Sequence, residues 1–265
     1  MKSLSHEATA GPLALNHKKT YSIIDVIINI LCFDFSFFQN KKIAILRLSG
    51  VIGSSTKPGS KGLSLEGINP QIEKMFKLSN LECVCIIINS PGGSPVQSEM
   101  IALRIINLAK EKKIPVYSFV EDVAASGGYW LACAGNEIYA SKNSIIGSIG
   151  VISASFGMVK AIEKLGIERR VHTAGKNKSV LDPFLEEKES DVELIKKIQA
   201  QIHDNFIDYV KTRRGGKLTQ DEDILFTGEF WTGTIAHEYG LIDGIEDIYG
   251  FIKKRYGTKV KIEYI

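Results

Sequence analysis

Two glycine-rich turns constrain this chain more than any other feature. They are Asn89-Ser90-Pro91-Gly92-Gly93 and Ala124-Ala125-Ser126-Gly127-Gly128, each set directly after an apolar run. Cys83 to Ile88 is short, continuously apolar and rich in β-branched residues, the pattern of a strand covered on both faces. It stops at Asn89. Pro91 cannot continue a ladder, and Gly92 and Gly93 tolerate positive φ and let another group approach the backbone. From Gln97 to Ala109 apolar residues recur at helical spacing, so the unit reads strand, turn, helix. The second unit repeats the design: Val116 to Val120 is the strand, Glu121 and Asp122 follow, and an apolar helical pattern resumes from Tyr129 to Ala134.

The backbone N–H groups of such a turn converge on an anion. Two chemistries use that geometry, phosphate cradling and stabilisation of the oxyanion of a tetrahedral intermediate. The chain has neither G-x-G-x-x-G nor G-x-x-x-x-G-K-[ST] at these turns, which weighs against phosphate. Ser126 falls at the mouth of the second helix, where a serine commonly serves only as an N-cap. Its neighbours Ala124, Ala125, Gly127 and Gly128 are small, so the hydroxyl is approachable and the Gly127 N–H lies beside it as an oxyanion donor.

A serine hydroxyl needs a base within hydrogen-bond reach to act as a nucleophile. The five histidines are poor candidates. His6 and His17 lie in a polar N-terminal stretch, and His172, His203 and His237 occupy strand-end or amphipathic-helix patterns that suit solvated or packed side chains. A lysine can serve instead where burial and hydrogen bonding favour its neutral form, as in Ser-Lys variants of the triad. With 33 Lys plus Arg, composition does not choose among them.

Length and composition suit one α/β domain without disulfides: 265 residues, 44% hydrophobic and 24% charged. Strand candidates at 43–48, 84–88, 116–120, 137–140 and 168–172 alternate with helical patterns, as in a layered parallel sheet. Residues 190–214 read as an amphipathic helix with Ile195, Ile198, Ile202, Phe206, Ile207 and Val210 on one face, packing on the core or on a partner subunit. Cys32, Cys83, Cys85 and Cys133 show no C-x-x-C spacing and read as buried thiols. The net charge of +3 is not concentrated, and nothing points to nucleic acid.

The runs Ile88-Asn89-Ser90-Pro91-Gly92-Gly93-Ser94, Ala124-Ala125-Ser126-Gly127-Gly128-Tyr129-Trp130-Leu131-Ala132, Gly147-Ser148-Ile149-Gly150-Val151-Ile152 and Ala174-Gly175-Lys176-Asn177-Lys178-Ser179 occur in this order. A late stretch adds Phe226-Thr227-Gly228, Gly233, Ala236 and Gly240-Leu241-Ile242-Asp243. From about residue 43 to the end the sequence resembles the signal peptide peptidase A family, the S49 serine peptidases. The resemblance implies the spiral of β-β-α units shared with caseinolytic protease and the crotonases, in the short form holding one copy of the unit. It implies Ser126 as nucleophile, Lys178 as general base with Lys176 as its rival, Gly93 and Gly127 as oxyanion donors and Ser148 as the residue orienting the lysine. It further implies no metal or organic cofactor, peptide substrates such as signal peptides or other membrane-derived peptides, and a homo-oligomer in which serine and lysine meet across a subunit interface. Two other classes keep similar turns: a crotonase-like hydratase or thioesterase acting on coenzyme A esters, and a catalytically silent scaffold.

The domain expected is 41–265, preceded by an extension over 1–40. Within it, residues 21–38 are apolar with a polar stripe of Ser22, Asp25, Asn29, Cys32 and Ser36. That stripe is too polar and the run too short for a membrane span, and no small-residue cleavage site marks a signal peptide. The expectation is an interfacial or subunit-packing helix flanked by Lys18, Lys19, Lys41 and Lys42, with peripheral membrane contact or a cytoplasmic location of bacterial type.

Overall fold

The computed structural model describes residues 41–53 and 62–265. The boundary expected at residue 40, the helix expected within 21–38, and Cys32 lie outside the described residues. β1 (Lys42–Ser49), β2 (Leu81–Ser90) and β3 (Val116–Ala125) form the parallel centre of an eight-stranded sheet in the order β6-β5-β3-β2-β1-β8. Side chains alternate between two cores. Ala44, Leu46, Leu48, Val84, Ile86 and Ile88 face α1 (Leu65–Phe76) and α2 (Pro95–Lys112), while Ile43, Ile45, Cys83, Cys85 and Ile87 face an aromatic layer around Phe251. A strand buried on both sides gains from apolar residues at every position, which is why these runs are continuous rather than alternating. Cys83, Cys85 and Cys133 are buried free thiols.

β3 runs farther than the apolar run predicts, because its polar middle is paired off. Glu121 bonds Arg47, and Asp122 accepts from Asn89 at 2.7 Å. The strand also forks. Residues 117–120 pair with β4 (Glu137–Ala140), and residues 123–125 pair with β5 (Ile145–Gly147). β6 (Phe230–Thr232) adds antiparallel to β5, and β7 (Gly244–Ile245) adds to β4. The fork carries the end of β3 away from β4, so the turn that follows opens beside β5. There α3 (Gly127–Ala132) begins, entirely buried.

After Gly150 the chain changes character. None of residues 151–205 is buried, although this stretch holds α4 (Val159–Lys164) and most of α5 (Glu189–Arg214). We call it the arm. The strand expected at 168–172 does not form: Arg169 instead pairs with Asp182 at 2.8 Å and Arg170 with Glu168 at 2.7 Å. A strand needs a ladder partner, and this segment has none among the described residues. The apolar face expected along α5 packs on the core only at its C-terminal part, where Phe206 and Val210 are buried. α6 (Glu222–Leu225), α7 (Gly233–Glu238), α8 (Ile248–Tyr256) and β8 (Lys261–Tyr264) complete the chain. Among the described residues, no helix is long and apolar enough to cross a membrane.

Candidate active site

Ser126 stands between β3 and α3 with φ 52° and ψ −122°. These angles lie outside the regions an L residue prefers, at a cost of roughly 1–3 kcal/mol. Three hydrogen bonds hold it there. Its N–H donates to the Gly147 carbonyl at 2.8 Å, and its own carbonyl accepts from Tyr129 at 2.9 Å and Trp130 at 3.1 Å. A sharp strand-to-helix turn of this kind presents a hydroxyl instead of packing it. The Ser126 side chain makes no capping bond to α3, so the N-cap role left open by the sequence is not its role.

The first glycine turn closes directly onto the second. A Cβ at Gly92 would lie 2.8 Å from Ser126 Cβ and 2.9 Å from the Gly127 nitrogen. One at Gly93 (φ +143°) would lie 2.1 Å from the Ile52 carbonyl oxygen, so neither position accepts a side chain. Gly93 forms a parallel bridge with Ile52: the Ile52 N–H donates to Gly92 at 2.8 Å, and the Ser94 N–H donates to Ile52 at 2.9 Å. In this parallel bridge Ile52 makes both bonds, to the residues flanking Gly93, so the N–H of Gly93 itself points away from Ile52. The N–H groups of Gly93 and Gly127 donate to no acceptor among the described residues.

Two supporting residues escape a sequence reading. Fully buried Ser90 donates from Oγ to the Gly50 carbonyl at 2.7 Å and accepts from the Gly92 N–H at 3.2 Å, which sets the first turn. Its only sequence signal is a hydroxyl two residues before glycine. Arg213, near the end of α5, donates to the carbonyls of Cys133 at 2.7 Å and Gly135 at 3.0 Å, just beyond α3. A basic residue at a helix end signals only its own dipole. The Tyr129 hydroxyl donates to the Leu241 carbonyl at 2.7 Å, and burial pushes its phenol well above the ordinary value, so it stays a neutral donor.

The late glycine segment is anchored by charge. Arg214, 2% exposed, donates to Asp243 at 2.6 Å and to the Gly240 carbonyl at 2.7 and 3.0 Å, and Lys217 reaches the second Asp243 oxygen at 2.6 Å. Burial opposes the charge on Asp243, but the bonds from Arg214 and Lys217 outweigh it and hold the carboxyl below its usual range.

Ser148 (φ 53°) is half-buried in the loop that supplies the Gly147 carbonyl, and its N–H donates to Glu229 at 2.6 Å. The structure therefore gathers Ser126, Gly93, Gly127 and the Gly147-Ser148 loop around one turn. It does not gather the lysines. Lys176 and Lys178 are exposed in a turn of the arm, where the Lys178 N–H donates to Gly175 at 3.2 Å, and neither ammonium bonds Ser126 among the described residues. A cavity of about 270 Å³ lies within the arm, lined by Phe156, Lys160, Ser179, Leu181, Asp182 and others, and Ser126 is not part of it. Among the described residues no cluster of three or more His, Cys, Asp or Glu side chains is placed to hold a metal.

The sequence pattern of "Peptidase family S49" matches residues 108–257. A protein of Brucella melitensis named "Na(+)/H(+) antiporter NhaA" is 52% identical over 227 residues, 84% of this chain and 30% of that protein. So long a match necessarily takes in most of residues 108–257. "Serine protease SPPA, chloroplastic" of Arabidopsis thaliana is 34% identical over 211 residues, 77% of this chain and again 30% of the relative. The chain thus spans under a third of the length of these two relatives. Among solved structures, a membrane-bound stomatin-specific protease in complex with a substrate peptide superposes with a TM-score of 0.50 at 19% identity, covering 85% of this chain and 92% of that one. This likeness bears on the fold, which is the spiral α/β fold of caseinolytic protease and the crotonases. On the matched residues and the shared architecture, the chain belongs to peptidase family S49, a family of serine peptidases.

Proposed function

We propose that this chain is a serine endopeptidase working through a Ser126–Lys178 dyad. The observation that carries the reading is the strained, uncapped Ser126 hydroxyl beside two backbone N–H groups, of Gly93 and Gly127, that no acceptor among the described residues engages. In the reaction a neutral Lys178 takes the proton of Ser126 as Oγ attacks the peptide carbonyl, and Gly93 and Gly127 hold the resulting oxyanion. The lysinium then protonates the leaving amine. Water hydrolyses the acyl-enzyme with Lys178 again as base, returning the serine proton. Ser148 orients the lysine.

Lys178 is chosen over Lys176 because the S49 resemblance sets its lysine in a Gly-x-x-Lys frame, which Gly175 to Lys178 fits. The dyad forms between subunits, Ser126 of one copy meeting Lys178 of the next. Support comes from the arm, which carries Lys178, has no fully buried residue, and leaves Ile152 87%, Phe156 85% and Leu165 73% exposed. An apolar surface of that kind suits a protein partner, and withdrawing an amine from water favours its neutral form. The substrates proposed are signal peptides or other membrane-derived peptides, met with the chain at a membrane surface.

Turnover of a synthetic signal-sequence peptide tests the assignment. Ser126→Ala and Lys178→Ala abolish cleavage while the assembly stays folded, and Lys176→Ala keeps most of it. Cleavage surviving in either of the first two variants overturns the dyad. Hydrolysis of a coenzyme A ester in place of the peptide overturns the peptidase reading itself.

A further inference from the structure

We infer that His203 is a positioning residue that clasps the root of the arm and so holds Ser148 in register with Ser126 of the same chain. The inference deepens the Ser126–Lys178 reading and rests on it. His203 lies on α5, three residues before Phe206, the first buried residue after the arm. Its Nε2 is 3.0 Å from the Ile149 carbonyl oxygen. A carbonyl can only accept, so Nε2 carries the hydrogen in this bond.

The place of the acceptor gives the bond its meaning. Ile149 is fully buried at the corner of a tight turn in which the Gly150 N–H donates to the Ser148 carbonyl at 3.0 Å. Ser148, immediately before it, sits at a positive φ that a side chain disfavours and that its surroundings must therefore enforce. The loop is held at Gly147 by the Ser126 N–H and at Ser148 by the Glu229 carbonyl. Among the described residues, His203 supplies the one bond from a side chain to the backbone of residues 147–150.

The bond joins residues 54 apart in sequence, one just before the chain leaves the body and one where it returns. It also completes a circuit. Ser126 N–H bonds Gly147, Ile149 bonds His203, Phe206 stacks on Trp130 at 4.7 Å, and the Trp130 N–H returns to the Ser126 carbonyl at 3.1 Å. Loss of the His203 donor opens this circuit between the serine and the arm while leaving the stack in place. Small displacements of catalytic groups cost rate more than binding.

The test compares His203→Leu with His203→Gln, whose amide can donate from a position close to that of Nε2. Two readouts are made on the full-length protein: the rate and affinity of labelling by a fluorophosphonate probe, and hydrogen–deuterium exchange of the segment around residues 148–152. In His203→Leu, kinact falls about tenfold or more with KI little changed, and exchange of the segment rises. His203→Gln restores both. The inference is overturned if exchange does not rise in His203→Leu, if it rises with kinact untouched, or if Gln is as impaired as Leu. Failure of the dyad reading has a different signature: labelling persists in Ser126→Ala while the exchange effect of His203→Leu remains.

Discussion

The sheet with its helices and the arm are built on opposite terms. In the body, from β1 to Gly150 and again from Phe206 onward, almost every apolar residue of the central strands is buried, and glycines mark places where one backbone touches another. In the arm, no residue is buried and Gly157, Gly166 and Gly175 have nothing within reach of a Cβ. The proposed nucleophile belongs to the first region and the proposed base to the second. Ser126 is therefore placed by packing internal to one chain. In the proposed dyad Lys178 would take its place from the root of the arm and from the partner subunit proposed to cover the arm's apolar surface.

Mixing two inactive variants probes that contrast most strongly. Ser126→Ala and Lys178→Ala each lose activity by about 10³-fold or more, in keeping with the removal of a nucleophile or its base. Dissociated and reassembled together, they regain a substantial fraction of wild-type cleavage, because in the proposed assembly some interfaces join an intact serine to an intact lysine. No recovery would place both residues of the dyad in one chain.

A buried charge pair gives the next largest effect. Arg214→Met leaves Asp243 without its main partner and lowers stability by about 3–5 kcal/mol, measured by urea unfolding. The same pair sets an acid limit. The folded Asp243 carboxyl titrates below its unfolded value, so between those two values the unfolded chain binds more protons and stability rises with pH. Its contribution is complete above the ordinary aspartate value, near 3.8, and is lost as pH falls through the lower folded value. In Arg214→Met this part of the acid dependence shrinks, because Lys217 and the Ile138 N–H alone then oppose the burial of Asp243.

Glycine substitutions separate the two regions directly. Gly93→Ala forces a methyl group into the Ile52 carbonyl and is expected to cost about 3 kcal/mol or more. Gly157→Ala, with open space around it, should stay within about 0.5 kcal/mol of wild type in the same unfolding experiment. The smallest effect on stability is expected at Phe156→Ser, also within about 0.5 kcal/mol for the subunit. That variant nevertheless shifts the proposed assembly toward smaller species in sedimentation velocity, since Phe156 is among the most exposed apolar groups of the arm.

How much of this was legible beforehand follows the same division. Continuous apolar runs identify β1, β2 and the first half of β3, since each strand is covered on both faces, and helical spacing identifies α2 and α5 to within a few residues. The two glycine turns identify the surroundings of Ser126 because their small residues have no alternative in so close a contact. β4 forms over 137–140 as expected, but the equally short or shorter strands β5 to β8 stand out from their surroundings by no apolar run. The segment 168–172 shows the reverse failure. Its composition suits a strand, but composition supplies no partner. Ser90, Arg213 and His203 were not legible either, because each acts through a backbone group far away in sequence, and a donor in a sequence does not name its acceptor.

The most direct measurement is intact-mass spectrometry of the purified protein after exposure to a fluorophosphonate, with Ser126→Ala and Lys178→Ala treated in parallel. A single adduct on the wild type that is absent from both variants is the result expected of an activated Ser126 with Lys178 as its base. A folded wild-type protein that takes up no adduct, or an adduct that persists in Ser126→Ala, would contradict the account.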